Sequence, residues 1–147
     1  MHDLSHSLER IVTDTARAMR GMRDEEWRAP RGDGKWTRVE ILGHLIDSAA
    51  NNHQRFVRAI AFGDLIWPGY DQNAMVRAQH FASGDPKLLL ALWESYNLHL
   101  ARVIHHIPEE RLTARCEIGG GAPVSFGLLV MDYVDHVQHH LRQILAD

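Results

Sequence analysis

From Arg38 to Phe62 the chain runs about 25 residues without a proline, and Leu42, Leu45, Ala49, Phe56 and Ile60 return along it at helical intervals. At 1.5 Å per residue such a helix is roughly 37 Å long. An apolar stripe of that length is buried most simply by other helices of similar length. Its start is marked as well: Thr37 offers an N-cap and Glu40 follows three residues on, the two halves of a capping box. Three further stretches match it. Leu4, Leu8, Ile11, Thr15, Met19 and Met22 predict a first helix over about 4–22. Asp85 followed by Pro86 opens another, through Leu89, Leu92, Tyr96 and Val103, that stops before Pro108, and Ser125 opens a last one reaching about Ala146.

Turn-forming residues punctuate these stretches. Pro30, Gly32 and Gly34 separate the first two helices. The connection from Gly63 to Asp85 holds Trp67-Pro68-Gly69-Tyr70, a short helix predicted over about 73–80, and Ser83-Gly84. A connection this long is uncommon unless it crosses the fold or forms part of a site. The segment ARCEIGGGAPV is irregular, and its three glycines lack the Lys-Ser or Lys-Thr of a phosphate loop, so they read as a turn. No sheet is predicted beyond a small hairpin that residues 115–118 could make with Val124. The expectation is an all-α chain, a single domain over 1–147 forming a four-helix bundle with a long crossover between its second and third long helices.

Charge and cysteine content narrow the function classes. Sixteen Lys and Arg against nineteen Asp and Glu leave a net charge of −3, so no uniform attraction to nucleic-acid backbones is expected. No apolar run approaches the roughly 20 residues needed to span a bilayer, and the N-terminus lacks a basic-then-apolar leader layout, so the expected location is cytoplasmic. The single cysteine, Cys116, can build neither an intrachain disulfide nor a thiolate zinc cage; it reads as an inert loop thiol.

Eleven histidines are the outlying number. His136 and His140, four apart on the last helix, present their imidazoles on one face about a turn apart, close enough to converge on one ion. Spacing alone is a weak signal, because chance supplies about one such pair here and His2 with His6 is another. Helical angle separates the two pairs. Val130, Val134, Val137, Leu141 and Leu145 form the apolar arc of the last helix, and Leu129 and Tyr133 extend it toward His136 and His140, which therefore border the core. His139, Asp132, Asp135, Arg142 and Gln143 lie farther round. On the Arg38–Phe62 helix His44, Ser48, Asn51 and Arg55 share a sector of about 60° beside Ile41 and Ala59. For Ser48, Asn51 and Arg55 a water-facing role is an equal alternative. A third imidazole from His44 would complete an open three-histidine metal site. His53 falls within the apolar arc and reads as a hydrogen-bonded core histidine.

Three stretches, KWTRVEILGHLIDSAANNHQRF, YDQNAMVRAQHF and GAPVSFGLLVMDYVDHVQHHLRQIL, resemble the DinB-like and YfiT-like metal-binding four-helix bundles, relatives of bacillithiol- and mycothiol-dependent enzymes. With the helix order, the likeness covers nearly the whole chain. It implies an up-down-down-up bundle, a homodimer, and a divalent ion, zinc or nickel, held by His44, His136 and His140. It also implies a low-molecular-weight thiol as a further cofactor in some members. Asp47 and Asn51 become candidates to fix an imidazole tautomer, and Arg55 either to pair with a substrate carboxylate or to brace an acid within the bundle. The function expected on these grounds is a metal-dependent enzyme acting on a small molecule, by thiol transfer or by hydrolysis. The alternative is a non-catalytic metal- or ligand-binding helical dimer.

Overall fold

A computed structural model describes residues 1–146. Four long helices form the bundle: α1 (His2–Met19), α3 (Arg38–Phe62), α5 (Pro86–His105) and α6 (Phe126–Leu145). Two short helices lie between them, α2 (Asp24–Arg28) and α4 (Gln72–Ala78), and three short strands, β1 (Leu65–Trp67), β2 (Arg115–Ile118) and β3 (Val124–Ser125), close one end. The expected caps are in place. Thr37 and Glu40 form a reciprocal capping box, Asp85 accepts from the Lys87 amide with Pro86 in the first turn, and Ser125 accepts from the Leu128 amide.

Side-chain contacts between helix ends show how the bundle is strung. Arg38 at the start of α3 donates to the carbonyl of Ile144 at the end of α6, and Ser5 near the start of α1 meets His105 at the end of α5. Arg20, just past the end of α1, pairs with Glu94 on α5. Tyr96 and His99 of α5 both pack on His53 of α3. Each of α1 and α3 packs on both α5 and α6, so the first two long helices stand diagonally across the bundle. The segment from Gly63 to Asp85 carries the chain from the end of α3 to the start of α5.

Several sequence expectations are corrected. The first helix runs over His2–Met19, because Arg20 and Gly21 already turn the chain before Met22. The Pro/Gly-rich stretch after it hides α2, whose Trp27 is buried. On α5 the buried stripe is Leu90, Trp93, Asn97, Leu100, Ala101 and Ile104, about 100° round from the expected Leu89, Leu92, Tyr96 and Val103. The run PKLLLALW is apolar on more than one face, so periodicity could not choose between them. Where no sheet was expected beyond a hairpin, β2 pairs antiparallel with β3 as that hairpin and also parallel with β1, placing Leu65 opposite Cys116. Cys116 is therefore a fully buried strand residue rather than a loop thiol, and burial pushes its thiol pKa up. His53 is half-buried, with Nδ1 3.1 Å from the Tyr96 hydroxyl. No helix among the described residues is long and apolar enough to cross a membrane.

Candidate metal centre

The structure brings His44, His136 and His140 together where α3 faces α6. One ring nitrogen from each lies within 4.8 Å of the others. The His44 and His136 Nε2 atoms are 3.1 Å apart. Two imidazole nitrogens bound at 2.0–2.1 Å to one ion, at angles between square and tetrahedral, stand about 2.9–3.4 Å apart. The His44–His136 spacing fits that requirement, and the His140 nitrogen lies within 4.8 Å of both.

The outer nitrogens are held in a compatible way. His140 Nδ1 lies 3.1 Å from Gln143 Oε1, an acceptor only, so Nδ1 carries the hydrogen and Nε2 keeps its lone pair. Gln143 is itself tied to His139 through its amide nitrogen, 2.9 Å from His139 Nε2. His136 Nδ1 lies 3.4 Å from Ser48 Oγ. His44 Nδ1 is buried and unpartnered. Trp36 stacks on the far side of His44 with ring centroids 4.9 Å apart, fixing the ring by packing where no hydrogen bond does.

Burial keeps these rings neutral. It pushes the His44 pKa down to about 3, helped by repulsion from His140 and His136, and the His136 pKa to about 4, helped by His140 and His139. The His140 pKa is lowered by burial too, with its Gln143 bond acting the other way. Neutral imidazoles with free lone pairs are the form in which histidine binds a metal. The donor set therefore fits a divalent ion.

Beside His136 opens a cavity of about 310 Å³, lined by Ser48, Asn52, Arg55, Tyr70, Leu129 and Tyr133 among others. Its walls come from α3, α6 and the crossover, which contributes Gly69 and Tyr70. Tyr133 is locked by donating its hydroxyl to Asn97 Oδ1 at 2.6 Å. On the His140 side lies a second, open cavity of about 490 Å³ lined by Arg31, Lys35, Trp36 and Gln143.

The other expected site residues divide. Ser48 is buried against His136 and Arg55 is buried on the cavity wall, so neither faces water. Asn51 and Asp47 do not meet an imidazole: Asn51 donates to the Asp47 carbonyl, and the Asp47 carboxylate accepts from Gln79 of the crossover. Gln143 fixes the tautomer of His140 instead, and the Ser48 hydroxyl, able to donate or accept, meets His136. Gln143 follows His140 by three residues, a spacing that faces it toward that ring, whereas Gln79 and Tyr70 arrive through the crossover, which its length and the resemblance marked without assigning either residue a partner.

A helical bundle with histidines converging from facing helices defines a class of protein built around a metal in its core. The chain belongs to the DinB superfamily, whose family model matches residues 7–144. It is 23% identical over 142 residues to YfiT of Bacillus subtilis (strain 168), covering 93% of this chain and 78% of YfiT, which carries the provisional name of a metal-dependent hydrolase. A similarly named protein of Bacillus licheniformis is 25% identical over 126 residues, covering 85% of this chain and 72% of the relative. The solved YfiT structure, described as a four-helix bundle of unusual topology, superposes with a TM-score of 0.84 at 22% identity, over 97% of this chain and 82% of that one. A mycothiol-dependent maleylpyruvate isomerase superposes with a TM-score of 0.77 at 17% identity. That match covers 99% of this chain and 61% of the isomerase, so the chain spans about three-fifths of its length.

Proposed function

We propose that this chain is a metal-dependent enzyme in which His44, His136 and His140 hold one divalent ion, zinc or nickel, and the adjoining cavity holds a small-molecule substrate. The observation that carries this reading is the opening of the three-histidine cluster onto a cavity at His136. A structural metal site is closed by four protein ligands, whereas a catalytic one keeps a position for water or substrate. Bound there, a divalent ion supplies Lewis acidity that brings the pKa of a water or thiol ligand toward neutrality.

The chain's own residues do the rest. Gln143 holds the hydrogen of His140 at Nδ1, which keeps its Nε2 lone pair turned inward, and the Ser48 hydroxyl stands beside His136 Nδ1. Leu129 and Tyr133 line the adjoining cavity with apolar surface. Cys116 sits in β2, outside the cavity lining, so a thiol nucleophile would come from a small molecule in solution. Hydrolysis is supported by the names of the sequence relatives, and thiol chemistry by the bundle shared with the mycothiol-dependent isomerase. Dimer formation and a cytoplasmic location rest on the resemblance and the sequence alone, and sedimentation tests the first.

Protein loaded with zinc or nickel is incubated with activated esters, and separately with low-molecular-weight thiols and a chlorinated aromatic electrophile. Turnover above that of free metal, lost in His136→Ala, supports the reading, and the arm that responds assigns the reaction. Metal bound near one per protomer with no exchangeable water, and no turnover in either arm, would make the chain a non-catalytic binding module.

A further inference from the structure

Arg55 is 8% exposed, yet among the described residues no carboxylate stands within salt-bridge distance of it. Its one side-chain hydrogen bond runs from Nη1 to Asn52 Oδ1 at 3.3 Å, and its Nε is buried without a partner. A buried cation without a counter-charge is costly to keep, because desolvation removes far more than a single amide carbonyl returns. Tyr70, which faces the Arg55 charge electrostatically, offers no compensation: burial raises the phenol pKa, so the ring stays neutral at pH 7. Asp47 is occupied elsewhere, by Gln79. Arg55 lines the same cavity as His136.

We propose that Arg55 anchors the carboxylate of a small organic acid, which lies in this cavity with its reacting group toward the three histidines. The proposal deepens the metal-enzyme reading and rests on it for the word substrate, while the anchor itself is tested independently. Guanidinium is a planar fork that matches a carboxylate with two parallel hydrogen bonds, and Nε with one Nη is the edge left free here. A monoanion is favoured over a phosphate dianion, since among the described residues Arg55 is the one Lys or Arg side chain lining the cavity and Asp132 lies on its wall. Ser48, which touches His136, and Arg55 are seven residues apart on α3, about 10 Å along its axis. That separation limits the acid to a small one, with no more than about 10 Å between its carboxylate and its reacting group. Leu129 and Tyr133 provide an apolar wall between the two ends.

Phenylacetate, its neutral isostere phenylacetamide, and phenyl phosphate serve as probes, titrated into zinc-loaded and metal-free protein, with affinities read by calorimetry for every variant and the Arg55 Nε–H resonance followed by NMR in the unsubstituted protein. Phenylacetate is expected to move that resonance saturably in both forms. Phenylacetamide should bind at least tenfold more weakly, as should phenylacetate to Arg55→Met. Arg55→Lys, which keeps the charge and loses the fork, should fall between, and it serves if the methionine variant does not fold. Equal binding of acid and amide overturns the proposal. So does binding that follows zinc and ignores Arg55, which places the carboxylate on the ion, and tighter binding of phenyl phosphate refutes the carboxylate class. Protein that takes up no zinc but binds phenylacetate through Arg55 keeps the anchor and removes the metal-enzyme reading, whereas zinc uptake with no Arg55 response does the reverse.

Discussion

The molecule has two groups of histidines at opposite ends of the bundle, and the larger is not the better site. Near the start of α1 and the end of α5, His2, His6, His105 and His106 crowd together, with ring centroids 4.2 Å apart for His2 and His105 and 5.0 Å for His105 and His106. Three of the four are exposed, and the group is not among those whose ring nitrogens converge. His44, His136 and His140 are fewer and do converge. The difference lies in what surrounds them. The buried His44 and the half-buried His136 and His140, on two facing helices, are held by packing and by Ser48 and Gln143, whereas mostly exposed rings at helix ends keep their rotamer freedom and their water. Proximity of imidazoles is common in a histidine-rich chain; a ligand set needs its lone pairs aimed at one point before the ion arrives.

The sharpest way to break this comparison is to delete each group in turn. Replacing His44, His136 and His140 by alanine is expected to remove bound zinc or nickel entirely in elemental analysis of folded protein. Replacing His2, His6, His105 and His106 should leave about one ion per protomer. The reverse result would move the metal centre to the exposed group.

Acid should separate the two groups next. The folded-state pKa values of His44 and His136, about 3 and about 4, lie below the usual value near 6.5. Above pH 6.5 both rings are neutral whether the chain is folded or not. As pH falls below that, the unfolded chain binds protons that the folded one refuses, so metal-free protein should lose stability progressively toward pH 3. Chemical denaturation across that range checks the sign, and His44→Gln should flatten the slope. A bound ion should defer the loss, because it binds the folded state alone.

The outer partners give a smaller effect. Gln143→Ala frees the His140 ring and is expected to weaken metal affinity by about 10- to 100-fold while leaving the fold intact, measured by competition with a chromophoric chelator. An unchanged affinity would mean that helix packing alone orients His140.

Smallest is a packing test beside the buried group. A Cβ on Gly43 would lie 2.2 Å from the Phe81 ring, which the crossover lays across α3 next to His44. Gly43→Ala should cost about 1–3 kcal/mol in denaturant unfolding. No change would show that the crossover is free to lift from α3.

How much of this was legible differs by element. The starts of α3, α5 and α6 could be read to within a residue or so, because capping is local: Thr37 with Glu40, Asp85 with Pro86, and Ser125 each act within their own first turn. The three-histidine cluster was partly legible for a similar reason. His136 and His140 meet through helical spacing, and the core-edge angle of His44 marked it as a candidate, but the resemblance was needed to join them. The buried face of α5 was not legible, since a leucine-rich run satisfies several apolar stripes and only the neighbouring helices choose one. The pairing of β1 with β2 joins residues about fifty positions apart, and no local rule announces it.

What the sequence by itself determined is therefore what neighbours within a turn or two decide: where helices start, that their apolar stripes demand a bundle, and which polar side chains share a helix face. Only the tertiary structure decided which stripes meet, that α1 and α3 stand diagonally opposed, and that Gln79 and Tyr70 come across to Asp47 and Arg55. It also decided that Arg55 would be buried without a counter-ion. The reason is physical. Local structure follows from backbone hydrogen bonds and steric preferences over a few residues, while burial and electrostatic pairing depend on the packing of segments distant in the chain, which no short stretch encodes alone.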